Sequence, residues 1–185
     1  MPKPLRRLSL AASLLLLVLL SACSGDEPDD AKAGETATAS AADSLVQQGL
    51  DQLDAGDAAA ARTTFENVLA LDPGNVYGHY NLGLIAQQAG DEETALEQYD
   101  AALEGDEDFT SALYNKAILT EPTDLAAAVD LYERVLAVEE TMAAAHMRLG
   151  FALLELGEKA DAEEHLARGV ELDPAMADVE PPSYD

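Results

Sequence analysis

The sequence predicts an all-α protein, a right-handed α-solenoid of about four helical hairpins, and three observations carry that reading. The first is a repeat. The small-residue column Gly49, Gly83, Ala117, Gly150 and the turn column Gly56, Gly90, Asp124, Gly157 both recur at intervals of 34, 34 and 33 residues. A second small column, Ala61, Ala95, Ala128, Ala162, and a bulky one, Phe65, Tyr99, Tyr132, Leu166, step instead by 34, 33 and 34, which places the missing residue between Asp124 and Ala128. The second observation is periodicity: apolar residues fall three and four apart on either side of each turn, so each unit is two amphipathic helices. The third is composition. The chain is 48% hydrophobic but only 5% aromatic, with no Trp, so its apolar content is mostly Ala and Leu, the best helix formers.

The chain opens on a segment outside the folded domain. Residues 1–22 read as a secretory signal, with Lys3, Arg6 and Arg7, an apolar run from Leu8 to Leu20, and small residues before Cys23. That run of 13 residues is short of the roughly 20 that a spanning helix needs. The residues Leu20-Ser21-Ala22-Cys23 resemble the lipobox of bacterial lipoprotein signal peptides. The resemblance implies cleavage before Cys23, a lipid on its thiol, and an extracytoplasmic protein anchored to the bacterial cell membrane. Residues 23–41 then form an acidic tether of Ser, Gly, Asp, Glu, Ala and Thr without apolar periodicity, expected to be disordered.

Four units follow over 42–176, namely 42–75, 76–109, 110–142 and 143–176, and residues 177–185 form a C-terminal tail. Gly inside a helix costs up to about 1 kcal/mol relative to Ala, so three Gly in one column imply a close helix contact. Gly83 and Ala95 would let the paired helices approach while Leu82 and Tyr99 fill the space around them. The pattern resembles the tetratricopeptide repeat, whose small, aromatic and Pro positions correspond to Gly83, Ala95, Tyr99 and Pro73. It departs from that family in four ways. The bulky residue early in each first helix is Leu45, His79, Leu113 or His146, never Trp, and Pro122 stands in the third unit's loop. Glu107 and Glu140 stand where Pro is usual, and unit ends there are expected to be looser.

The resemblance implies that the first helix of each hairpin lines a concave face. At helical spacing one stripe is Val46 and Leu50, Tyr80 and Leu84, Tyr114 and Ile118, Met147 and Phe151, with Gln47, Asn81, Asn115 and Arg148 beside it. Amides that both donate and accept can pair with the backbone of an extended peptide, and the neighbouring Tyr and Met can take up varied side chains. The expectation is a protein- or peptide-binding scaffold or assembly factor in the cell envelope. The alternative is an accessory of an envelope enzyme or a self-assembling structural lipoprotein, associating through open solenoid ends.

Other classes find little support. Acidic residues outnumber basic ones 36 to 10, leaving 36 against 7 after Cys23, a balance that repels nucleic acid. The single Cys is taken by the lipobox, and no nucleophile and base are placed together, so no catalytic residue and no cofactor is expected. His79 and His146 sit two units apart, roughly 20 Å at about 8–10 Å per helix, and His165 lies on the last second helix, so no metal site is expected.

Overall fold

A computed structural model describes residues 29–184, and among them it has eight α-helices in consecutive antiparallel pairs. These are α1 (Asp29–Asp54), α2 (Ala58–Leu71), α3 (Val76–Gln88), α4 (Glu92–Gly105), α5 (Thr110–Thr120), α6 (Leu125–Val138), α7 (Ala143–Leu156) and α8 (Lys159–Leu172), followed by a 3-10 helix, Pro174–Asp178. Within each hairpin the two helices pack together, and α2, α4 and α6 pack in turn on α3, α5 and α7, which is the expected solenoid.

The column of small residues does what its cost implied. A Cβ placed on Gly49 would stand 2.6 Å from the Phe65 ring, one on Gly83 2.7 Å from the Tyr99 ring, and one on Gly150 2.7 Å from Leu166. Each glycine therefore meets the bulky residue of its own hairpin at a distance no side chain tolerates. Phe65 and Tyr99 are fully buried in these contacts, and so is Tyr132 in unit three, where Ala117 holds the place of the glycine. The core is correspondingly one-dimensional: one cluster joins units one and two around Phe65 and Ile85, one joins two and three around Tyr99 and Ala112, and one joins three and four around Tyr132 and Leu149.

The second helices start the same way. Asp57, Asp91 and Asp124 each accept a hydrogen bond from the amide three residues on, satisfying a donor that the helix leaves free. Unit four lacks this cap, because Glu158 stands there and its side chain makes no such bond. Gly56, Gly90 and Gly157 turn with φ of 79°, 78° and 86°, but Asp124 is not their counterpart: it caps α6 as Asp57 and Asp91 cap α2 and α4, so the residue missing from unit three, expected after Asp124, is lost before it, in the turn that carries Pro122.

The boundary of the tether is corrected as well. The tether was expected to run to residue 41, yet α1 already begins at Asp29. Residues 29–41 lack apolar periodicity but include Ala31, Ala33, Ala37, Ala39 and Ala41, and adding such residues to an existing helix needs no new nucleus. At 1.5 Å per residue, this part of α1 rises about 20 Å beyond the hairpins. The signal segment, Cys23 and the first part of the tether lie outside the described residues.

Candidate functional site

By register the first helices α1, α3, α5 and α7 carry equivalent residues, and α3 and α5 meet through Tyr80 and Asn115. Val46 and Leu50, Tyr80 and Leu84, Tyr114 and Ile118 are half-buried, each leaving part of an apolar side chain open to solvent. Met147 and Phe151 hold the equivalent places on α7 but are 5% and 7% exposed, so the apolar stripe closes at the fourth unit. Aromatic rings fix the middle of the face. Tyr80 stands edge-on to Phe109 with centroids 5.2 Å apart, Tyr77 does the same at 5.7 Å, and Tyr114 packs against Tyr132 at 5.8 Å. Phe109, just before α5, had no part in the sequence-derived stripe.

The amide ladder is less uniform than its register implied. Gln47 is exposed and donates to Asp51 on its own helix at 3.3 Å. Asn81 is buried and its Nδ2 donates to the Tyr77 carbonyl, again within its own helix, at 2.8 Å. Asn115 is half-buried and reaches across to the Tyr80 hydroxyl at 3.3 Å, which ties the second and third units together at the face. Asn115 and Gln47 are thus the amides of this row that remain open to solvent.

Arg148 is already paired. Its Nη1 donates to Glu121 Oε2 at 2.9 Å, and the hydroxyl of Tyr132 donates to the other oxygen of the same carboxylate. Burial works against the guanidinium charge, but the Glu121 carboxylate and the neighbouring Tyr132 and Tyr114 hydroxyls hold its pKa above the ordinary value. Burial together with that bond to Glu121 pushes the Tyr132 phenol up in turn. A face whose Arg is neutralised by a buried Glu has little to offer an anionic ligand. Glu121 escaped the sequence reading, although it occupies the place of Gln87, which accepts from Tyr99 in unit two. The register 34 residues apart, with Tyr132 in the column of Tyr99, carried the signal.

The histidines pair in a way that spacing did not foretell. His146 Nε2 meets the Glu140 carbonyl at 3.0 Å and its Nδ1 meets Nδ1 of His165 at 2.9 Å. A carbonyl only accepts, so Nε2 of His146 carries the proton, its Nδ1 accepts when the ring is neutral, and His165 donates. A hollow of about 400 Å³ lies beside them, lined by Glu140, Glu164, Arg168 and Glu171 among others. Both Nδ1 atoms are engaged with each other, and among the described residues no group of three or more His, Cys, Asp or Glu could hold a metal. His79 makes the equivalent bond to the Pro73 carbonyl and faces Gln98.

Comparison with known proteins bears on the fold. Tetratricopeptide repeat models match residues 46–110 and 119–179, together more than half of the chain. Among solved structures, a MamA crystal structure superposes with a TM-score of 0.65 at 17% identity, covering 80% of this chain and 87% of that one. The Pseudomonas aeruginosa pilF structure gives 0.67 at 22%, covering 76% and 66%. YrrB, described as a TPR protein with an unusual peptide-binding site, gives 0.61 at 21%, covering 80% and 82%. At these identities the likeness is one of fold. No curated protein sequence matches the chain.

Proposed function

The chain belongs to the tetratricopeptide repeat family, and from that premise we propose that it is a non-catalytic scaffold that binds an extended peptide or protein segment on the face of α1, α3, α5 and α7. One observation carries the reading: three successive first helices hold Val46 and Leu50, Tyr80 and Leu84, Tyr114 and Ile118 half-exposed in one register, with Asn115 among them. Apolar side chains repeated at helix spacing offer shallow seats to alternate side chains of a bound chain, and an amide beside them can pair with its backbone. The peptide-binding site attributed to YrrB supports this class of partner. The paired state of Arg148 argues for a partner recognised through apolar and backbone contacts, not through a carboxylate.

We further propose that Cys23 is the lipid-bearing N-terminus of an extracytoplasmic protein at the bacterial cell membrane, a reading supported by Leu20-Ser21-Ala22-Cys23. Two acyl chains would hold it stably, and the outer part of α1 would then act as a stalk between membrane and repeats. Capture from detergent-solubilised envelopes tests the scaffold: a partner retained by the wild-type chain and lost by Tyr80→Ala/Tyr114→Ala, with helicity unchanged, is the expected result. A partner retained equally by both contradicts it. For the anchor, intact mass should show acyl groups that Cys23→Ser abolishes.

A further inference from the structure

Each first helix after α1 packs between the second helix of the preceding hairpin and that of its own, and α7, held in this way by α6 and α8, is the most buried of the first helices described. It has eight buried residues against six in α3 and three in α5. Met147 packs under Gly169, where a Cβ would stand 2.7 Å from its sulfur, but that contact does not account for Phe151. Phe151 is 7% exposed, whereas its register mates Leu50, Leu84 and Ile118 are only half-buried.

The segment after α8 lies against this helix. After α8 the Asp173 side chain accepts from the Ala175 amide, and the 3-10 helix Pro174–Asp178 packs on α8 and α7. The following segment, Val179–Tyr184, has no regular structure, and its Pro181-Pro182 pair favours an extended path. It arrives at Tyr184, a half-buried residue whose hydroxyl is cut off from solvent and has no hydrogen-bond partner. Burial pushes this phenol up to about 12, and Glu121, Arg148 and Glu155 all lie close enough to act on it. Arg148 and Glu155 are seven residues apart on α7, hence on one side of the helix, with Phe151 between them.

We propose that this end of the concave face is a peptide-binding subsite whose resident ligand is the chain's own segment Val179–Tyr184, anchored by Tyr184, and that a partner peptide carrying an aromatic residue to the same place must displace it. The proposal rests on the scaffold reading and adds a ligand class and a control to it. The resident fits imperfectly. Its buried hydroxyl is unsatisfied, and Asp178 and Glu180 bring negative charge to a chain with a formal net charge of −26. A neutral or basic peptide with an aromatic residue that finds a hydrogen-bond partner therefore competes well. Attachment in cis corresponds to an effective concentration near the millimolar range, so the segment sets a threshold that weak ligands do not pass.

The test is fluorescence anisotropy with a labelled heptapeptide of residues 179–185, titrated with purified full chain, with a chain lacking those residues, and with Tyr184→Ala. Circular dichroism checks that all three are folded. The shortened chain and Tyr184→Ala should bind the heptapeptide, the wild type at least about ten-fold more weakly, and a heptapeptide with Ala in place of Tyr should not bind. A photoreactive aromatic in that place should label α5 or α7. Failure of both variants to bind at about 1 mM, equal binding by wild type and Tyr184→Ala, or labelling elsewhere overturns the proposal. Envelope capture that depends on Tyr80 and Tyr114 without heptapeptide binding would sink this inference alone. Heptapeptide binding with capture indifferent to those residues would sink only the wider reading.

Discussion

In the second unit His79 Nε2 bonds the Pro73 carbonyl at 2.9 Å, and in the fourth His146 Nε2 bonds the Glu140 carbonyl at 3.0 Å. Gly83 meets Tyr99 in one as Gly150 meets Leu166 in the other. The two hairpins are the same device. Their faces are not: Tyr80 and Leu84 stay half-open, while Met147 and Phe151 are closed. The difference teaches that the repeated columns specify how a hairpin is built, whereas the positions between them, together with whatever lies on top, decide what the hairpin can bind.

Substitutions in the shared columns should produce the largest effects. Gly83→Leu must force a side chain into the Tyr99 ring and the Ala95 carbonyl, where even a Cβ has 2.7 Å and 3.3 Å. Overpacking at backbone with no room to shift is expected to cost about 3 kcal/mol, read as a fall in the urea midpoint. Gly90 has open space around it and a φ of 78°, so Gly90→Ala should cost only the left-handed penalty, about 1 kcal/mol. Equal losses at the two glycines would remove the distinction between a packing glycine and a turn glycine.

Glu121→Ala comes next and separates the third unit from the second. It leaves the Tyr132 hydroxyl and Arg148 without their acceptor, where Gln87 gives Tyr99 a neutral one. Breaking a fully buried pair costs about 3–5 kcal/mol, but the Arg148 side chain keeps 32% exposure and water partly replaces the partner, so about 2 kcal/mol is expected. Glu121→Gln, which restores the arrangement of unit two around Tyr132, should recover part of the loss. A chemical-denaturation midpoint for Glu121→Ala equal to wild type would contradict the pairing.

The smallest effect is one of pH and sharpens the comparison of units two and four directly, because Gln98 holds the place of His165. Burial first, then the neighbouring His146, lowers the His165 pKa against the opposing pull of Glu164, Glu133 and Asp161. Its folded pKa lies below the unfolded value of about 6.5, so the unfolded chain takes up the proton more readily. Stability is therefore full above that value and declines as pH falls from about 6.5 toward the folded pKa. His165→Gln should flatten this part of a plot of Tm against pH, leaving the carboxylate-dependent fall at lower pH. An unchanged profile would mean that the pair does not resist protonation.

How much of this was legible in the sequence differs by position. Gly49, Gly83 and Gly150 announced their contacts because an unfavourable residue repeated in register demands a reason. Glu121 was equally in register with Gln87, but the adjacent Pro122 marked the segment as an irregular loop and drew the reading away from a buried carboxylate. The extension of α1 to Asp29 left no trace in periodicity, because residues 29–41 carry alanines without an apolar stripe and helix propensity was their one signal. Asn81 was placed on the correct helix, yet spacing does not say whether an amide turns outward or back to its own carbonyl. Tyr184 belongs to no repeat, so no column pointed to α7.

The central claim is that the open faces of units two and three bind an extended peptide. The most direct measurement takes peptides selected from a random displayed library on the wild-type chain and titrates each against Tyr80→Ala/Tyr114→Ala by calorimetry. Loss of two apolar seats worth about 1.4 kcal/mol each predicts affinity lower by about a hundred-fold in a variant with wild-type circular dichroism. Peptides that bind the folded variant as tightly as the wild type would contradict the account and move the interface off this face.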